Sequence, residues 1–217
     1  RRIFHPWEGG EGKVPAQYQF ARVELAKELI LKKDYAKSIS LLNECFEYPH
    51  NLGEGKLHGA QENDFNYWLG CAYEGAGMQE QAIKHWELAK EGNNEPAAAI
   101  FYNDQKPDKI LYQGLALLKL NKLYEAERVF NKLVSYGESH LSDRIKLDYF
   151  AVSLPDLLIW DDDLNLRNRI HCLYMMALGH YGLGFSDRST ELLNEIKATD
   201  INHQGVQSLV SLIKQEG

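Results

Sequence analysis

The sequence predicts an all-α chain, an α–α superhelix (solenoid) of about four helical hairpins with inserted connectors and a C-terminal capping helix. Apolar residues recur at helical spacing from one end to the other, and no stretch alternates as a half-buried strand would. Ala26, Gly70 and Gly114 recur inside similar apolar frames, 44 residues apart each time. The run GEGK occurs twice, ending at Lys13 and at Lys56.

The helices expected in order lie near 16–32 and 35–47, 62–76 and 79–91, and 107–120 and 122–136, followed by 141–152, 167–183, 186–198 and 203–215. They group into repeat units near 19–61, 62–106, 107–169 and 170–217, with residues 1–15 as a connector from an upstream domain. Pro49, Pro96, Pro107 and Pro155 fall at expected boundaries, where a missing backbone donor does least harm. Within Phe65 to Ala89, small residues (Gly70, Ala82, Ala89) let two helices approach and Trp86 fills the gap beside them. Gly114, Leu117, Ala126 and Phe130 repeat the frame, with Asn121 at the turn. Weaker copies are Ala26, Leu29, Ser38, Leu42 and Cys45, and Ala177, Gly184, Ser189, Leu193 and Ile196. In the last helix Val206, Leu209, Val210 and Ile213 share one face, as expected of a cap over the end of the array.

With 217 residues, 44% of them hydrophobic, the chain can bury a sizeable core. Its net charge of −7, with no cluster of Lys or Arg, argues against nucleic acid or an anionic membrane surface as partner. The longest apolar stretches are broken by His and Gly and fall short of the ~20 residues that span a bilayer. The chain opens on Arg1 without a signal-like run, which suits a fragment or a processed form. Cys45, Cys71 and Cys172 are odd in number and widely spaced. They offer neither a disulfide framework nor a zinc spacing, so no metal and no cofactor is expected. A reducing, cytoplasmic setting is favoured, and a periplasmic or exported one stays open if an upstream signal has been removed.

GEGK invites a phosphate-loop reading, but Glu8 and Asn51 stand where the leading glycine belongs, and Val14 and Leu57 follow the lysines in place of Ser or Thr. Both runs precede the first helix of a unit, so they are expected as equivalent connectors. WDDD at 160–163 reads as a helix-capping loop, because adjacent carboxylates do not face each other across a cleft. His171 and His180 are nine apart, which does not bring both to one metal, and no elbow motif surrounds any serine. No catalytic residue is assigned.

The motif LGxxY with Gly77 and AxxxW resembles the tetratricopeptide repeat (TPR), although the 44-residue step exceeds that repeat's usual period of about 34. HPWEGGEGKV, YPHNLGEGKL, FYNDQKPDKILYQGLAL, KLDYFAVSLPDLLIWDDDL and NRIHCLYMMALGHYGLG together resemble the C-terminal TPR portion of large bacterial proteins. In those, a domain of unsettled function, suspected of carbohydrate-related activity, precedes the repeats. The resemblance implies a groove lined by the first helix of each hairpin. Here its positions are Val23, Lys27 and Ile30; Tyr67, Cys71 and Glu74; Leu111, Leu115 and Leu118; and Tyr174, Leu178 and Tyr181. The clamp that holds a terminal carboxylate in one TPR subclass is absent, since only Lys27 matches it. The groove is therefore apolar and aromatic, and either receives an apolar segment or is closed by the chain's own insertions.

Three functions follow as expectations. The first is a non-catalytic module that docks on a partner protein or on its own upstream domain. The second is an accessory role in a saccharide or other small-molecule site, using Trp7, Trp160 and Tyr102. The third is an enzyme. The connectors are expected to gather along one edge as a contact surface formed by Trp7, Glu11 and Lys13, by His50, Glu54 and Lys56, and by Tyr102, Asn103 and Asp104.

Overall fold

A computed structural model describes residues 2–5, 12–98, 104–145 and 163–216, and every regular element among them is helical. The α-helices are α1 (Lys13–Leu31), α2 (Tyr35–Asn43), α3 (Asn63–Gly75), α4 (Gln79–Ala89), α5 (Pro107–Lys119), α6 (Leu123–His140), α7 (Leu164–Gly182), α8 (Ser186–Thr199) and α9 (Gln204–Glu216). Two short 3-10 turns, Glu44–Phe46 and His50–Leu52, follow α2.

One turn is built four times. At the end of α1 a residue in the left-handed region, Lys33 (φ 60°), lets the chain reverse, and Gly77 (φ 75°), Asn121 (φ 59°) and Gly184 (φ 83°) do the same after α3, α5 and α7. Each turn carries the same bonds: Lys33 N–H reaches the Ile30 carbonyl (2.9 Å) and Asp34 N–H the Leu29 carbonyl (2.9 Å). The matching pairs are Gly77 to Glu74 and Met78 to Tyr73, Asn121 to Leu118 and Lys122 to Leu117, and Gly184 to Tyr181 and Phe185 to His180. Carbonyls that a helix end would otherwise leave unpaired are thereby satisfied.

The helices of each pair close on one another at small residues. Ser38, Ala82, Ala126 and Ser189 are each fully buried, 12 positions after Ala26, Gly70, Gly114 and Ala177. Where the residue is serine, its hydroxyl donates to the opposing carbonyl, Ser38 to Ala26 at 3.1 Å and Ser189 to Ala177 at 2.8 Å. One turn further on, Leu42, Trp86, Phe130 and Leu193 fill the space beside the contact, none more than 1% exposed.

The pairs stack in chain order. The first helices stand beside one another (α1 with α3, α3 with α5, α5 with α7), and the second helix of a pair packs on the first helix of the next. Helices α6 and α7 also approach closely: a Cβ at Gly137 would lie 2.5 Å from Met176 Cγ, and one at Gly179 would lie 2.7 Å from the Phe130 carbonyl oxygen.

Three expectations are corrected. The helix expected at 141–152 does not start at 141, because α6 itself continues to His140 and residues 141–145 form a turn and irregular chain. Residues 146–152 and Pro155 lie outside the described residues. The first helix begins at Lys13 rather than near residue 16, directly after Gly12, whose φ of 76° turns the chain into it. The helix expected from 167 begins at Leu164, where the Asp163 carboxylate accepts from Asn165 N–H (3.0 Å) and Leu166 N–H (3.1 Å). That bond pair is the capping role expected of the WDDD run; residues 160–162 lie outside the described residues.

Helix α9 packs on α8 and α7 and also reaches α1 at the far end of the stack. Gln204 and Gln17 exchange side-chain amide hydrogen bonds (3.0 and 3.3 Å), and the Ser208 hydroxyl accepts from Lys27 Nζ (3.0 Å) while donating to Glu24 Oε1 (2.8 Å). Val206, Leu209 and Leu212 are buried in the same apolar core as Trp68, Tyr112, Leu115, Tyr174 and Tyr181. The cap expected over the last hairpin thus extends back to the first.

Candidate functional site

The expected groove positions divide by depth. Leu111 and Leu178 are 2% and 1% exposed and belong to the core, where no ligand touches them without displacing protein. Leu115, Tyr174 and Tyr181 are buried to within 6–8% exposure. Tyr67 and Cys71 are half-buried, and Tyr67 packs against Trp68 (5.2 Å between ring centroids) and Tyr112 (5.4 Å). At the turn end of the row the surface opens: Leu118 is 37% exposed, and exposed Glu74 accepts from Lys119 Nζ at 2.6 Å.

Val23 is buried and Ile30 half-buried at the start of the row. Lys27 is 2% exposed, its ammonium held by Glu24 Oε1 (2.7 Å) and Ser208 Oγ (3.0 Å) and lying 5.4 Å from the centre of the Trp68 ring. A buried cation needs such partners. The one residue that matched a carboxylate clamp is therefore already bound within the molecule.

Hydrogen bonds link parts of the connectors among the described residues. Gly12 N–H donates to Glu54 Oε2 (2.7 Å), so the second GEGK run holds the end of the first. Phe4 N–H reaches the Asn51 carbonyl (2.9 Å), and Asn51 Nδ2 returns to the Arg2 carbonyl (3.1 Å). Gly53 (φ 83°) sits so close that a Cβ would be 2.5 Å from the Phe4 carbonyl oxygen. Exposed His50 lines an open depression of about 620 Å³ with Ile3, Phe4, His5, Pro49, Asn51 and Gly53. Lys56 pairs with Glu62, and its ammonium lies 5.7 Å from the Phe46 ring.

The next connector joins through Gln61. Its amide donates to the Asp104 carbonyl (3.3 Å) and its oxygen accepts from Lys106 N–H (3.2 Å). Lys13 opens α1 on the surface. Trp7, Glu11, Tyr102, Asn103 and Trp160 lie outside the described residues. The two GEGK runs also differ in spacing: Lys13 is the first residue of α1, whereas six residues separate Lys56 from Asn63 at the start of α3. They touch each other instead of repeating one geometry.

Several organising residues carry no motif. Asn63 Nδ2 donates to the carbonyls of Ala89 (2.8 Å) and Glu91 (2.9 Å), and Gln113 Nε2 donates to the same Glu91 carbonyl (2.9 Å), tying α3 and α5 to the end of α4. Asn168 repeats the device on the His140 carbonyl (2.8 Å). A polar residue inside an apolar helical frame, as Gln113 is beside Gly114, was the available signal. Asp64 and Lys109 form an ion pair between α3 and α5, 13% and 14% exposed, with the ammonium 4.7 Å from the centre of the Phe65 ring. Burial works against charge on Lys109, but the Asp64 and Asp108 carboxylates more than offset it and hold the ammonium above its ordinary pKa.

Burial dominates the remaining chemistry. It pushes the Cys45 thiol up to about 12, with the Asp64 charge adding to it, and the Cys71 and Cys172 thiols to about 11, so all three stay protonated at neutral pH. Among the described residues no group of three His, Cys, Asp or Glu side chains is arranged to hold a metal ion, and no helix is long and apolar enough to cross a membrane. Neither protein-family models nor solved structures provide a match to the chain.

Proposed function

We propose that the chain is a TPR-like superhelical array serving as a non-catalytic interaction module, which docks on a partner protein or on an upstream domain of its own chain. The observation that carries this reading is the fourfold recurrence of one left-handed turn and one 12-residue-spaced close contact, which is what a stacked helical repeat requires. Arrays of this kind offer long surfaces rather than a single cleft, and binding is the activity such a surface suits. The buried, protonated thiols and the internally paired Lys27 also suit a scaffold better than a reactive site.

The edge where the connectors meet supplies the candidate docking surface, with His50, Lys13 and Lys56 exposed along it. The test is a binding titration of the chain with any domain encoded directly upstream of it, expressed separately, beside a saccharide panel. Saturable binding to the domain with no saccharide response is the expected result. A saccharide response from this chain alone, or turnover by it, would overturn the proposal.

A further inference from the structure

We infer that the edge formed by the four hairpin turns is a self-association surface, on which a second copy of this chain docks about a twofold axis between the second and third turns. The turns join the two helices of each hairpin, whereas the connectors join one hairpin to the next at the opposite helix ends. The turn edge is therefore separate from the connector edge, and its use does not depend on that one. Neighbouring turns are held side by side. A Cβ at Gly75 would lie 2.3 Å from the Tyr35 ring, and ion pairs tie the third hairpin to the second, Lys119 to Glu74 (2.6 Å) and Lys122 to Glu87 (3.2 Å).

Every turn exposes a large apolar side chain. Leu31 stands at the first, Met78 at the second, Leu123 and Tyr124 at the third and Phe185 at the fourth. Met78 and Phe185 directly follow the left-handed glycines of their turns, and Leu123 comes two residues after Asn121. Tyr124 is 72% exposed and Leu123 60%, so the middle of the row carries its largest apolar projection. One exposed leucine is ordinary on a protein surface. A row of such residues at matching positions in four successive hairpins is the kind of surface that protein partners cover.

Charge identifies the occupant. At the first turn Lys32 pairs with Glu28 (3.4 Å) and Lys37 with Asp34 (2.6 Å), which leaves exposed Lys33 with no ion-pair partner among the described residues. At the fourth turn Arg188 pairs with Glu191 (2.8 Å), which leaves exposed Asp187 in the same position. A surplus cation at one end of the row thus matches a surplus anion at the other. A twofold axis through the middle carries the first turn of one copy onto the fourth turn of the other and the second onto the third. Lys33 of each copy then faces Asp187 of the other, Leu31 faces Phe185, and Met78 faces Leu123 and Tyr124. Such a surface is complementary to itself and closes at two copies.

Backbone geometry adds an independent observation. Lys33 sits at a φ of 60°, where glycine serves the second and fourth turns, so a side chain is present at the cost of local strain. No ion pair among the described residues gives that side chain a use, and a pair with Asp187 of a second copy does.

The test is analytical ultracentrifugation of the whole chain over a range of concentrations. A reversible dimer is expected, and Tyr124→Asp should weaken it at least about tenfold by placing a charge at its centre. Lys33→Glu and Asp187→Lys should each weaken it as well, because each sets like charges against one another twice in the dimer. Mixing the Lys33→Glu chain with the Asp187→Lys chain should restore association, since in the mixed dimer both pairs are again of opposite sign. The chain carrying both substitutions should also dimerise. All three positions are exposed, and recovery on mixing requires that both chains fold. A chain that stays monomeric at about 0.1 mM would overturn the inference. A dimer indifferent to Tyr124→Asp and to both charge reversals would overturn it too, by placing the interface elsewhere, and so would single variants that weaken the dimer without recovering when mixed.

Discussion

Trp86 lies so close to the backbone of Gly70 that a Cβ there would stand 2.2 Å from its Nε1 atom. Phe130 approaches Gly114 in the same way, with Cε1 at 2.2 Å. Two helices can meet this closely only where one side has no side chain, so glycine stands at both positions. Gly70→Leu and Gly114→Leu should each lower stability by more than ~2 kcal/mol through overpacking, and Ala82→Trp should do likewise. Gly55→Ala is the control, since a Cβ at Gly55 meets nothing within 4 Å. Urea unfolding midpoints decide the matter, and a Gly70→Leu chain with an unchanged midpoint would refute the packing register.

Lys33 occupies a left-handed turn position that glycine fills in two of the other three hairpins. A residue with a Cβ is strained there. Lys33→Gly should therefore raise stability by roughly 0.5–1 kcal/mol, after the added freedom of the unfolded chain is set against the relieved strain. Thermal unfolding reads the shift, and a lowered Tm would mean that the Lys33 side chain contributes more than its backbone costs.

Asp64→Asn should cost about 3–5 kcal/mol, because it leaves the Lys109 ammonium buried without its counter-charge. The double variant Asp64→Leu with Lys109→Met should recover much of that loss. Equal losses in the single and double variants would show that the pair's shape rather than its charge holds α3 to α5.

Stability should fall as the pH drops below the ordinary histidine range. Burial lowers the pKa of His85, His171, His180 and His203, so the folded chain binds protons later than the unfolded one. Between pH ~7 and pH ~5 the unfolded state holds more protons, and each such histidine subtracts from stability as the pH falls through the ordinary value of about 6.5. His203 Nδ1 also accepts from Val206 N–H (3.2 Å) at the start of α9, a bond that protonation removes. Tm should be lower at pH 5.5 than at pH 7.5, and a flat or rising profile would contradict the assignment.

The hairpins were legible because close packing leaves a mark on sequence: a small residue, then a second one 12 positions on, then a large one. The end of α6 was not, because Gly137 resembles a helix stop. Its real use is contact, since a Cβ there would be 2.6 Å from the Cys172 carbonyl oxygen. An apolar stripe shows that α9 buries one face, but Val206 and Leu209 do not say against what. Likewise Lys27 matched a binding position, while its partner Ser208 is 181 residues away. Local periodicity carries no trace of such pairs.

Joining Ser208 to Lys27 converts a linear stack into a loop fastened at both ends. In an open array each repeat answers only to its neighbours, so it can unravel from a terminus and grow by duplication. With the clasp in place, the first and last elements of the stack also answer to each other. The final contacts also join residues far apart in sequence, which raises contact order and delays the last step of folding until the ends meet.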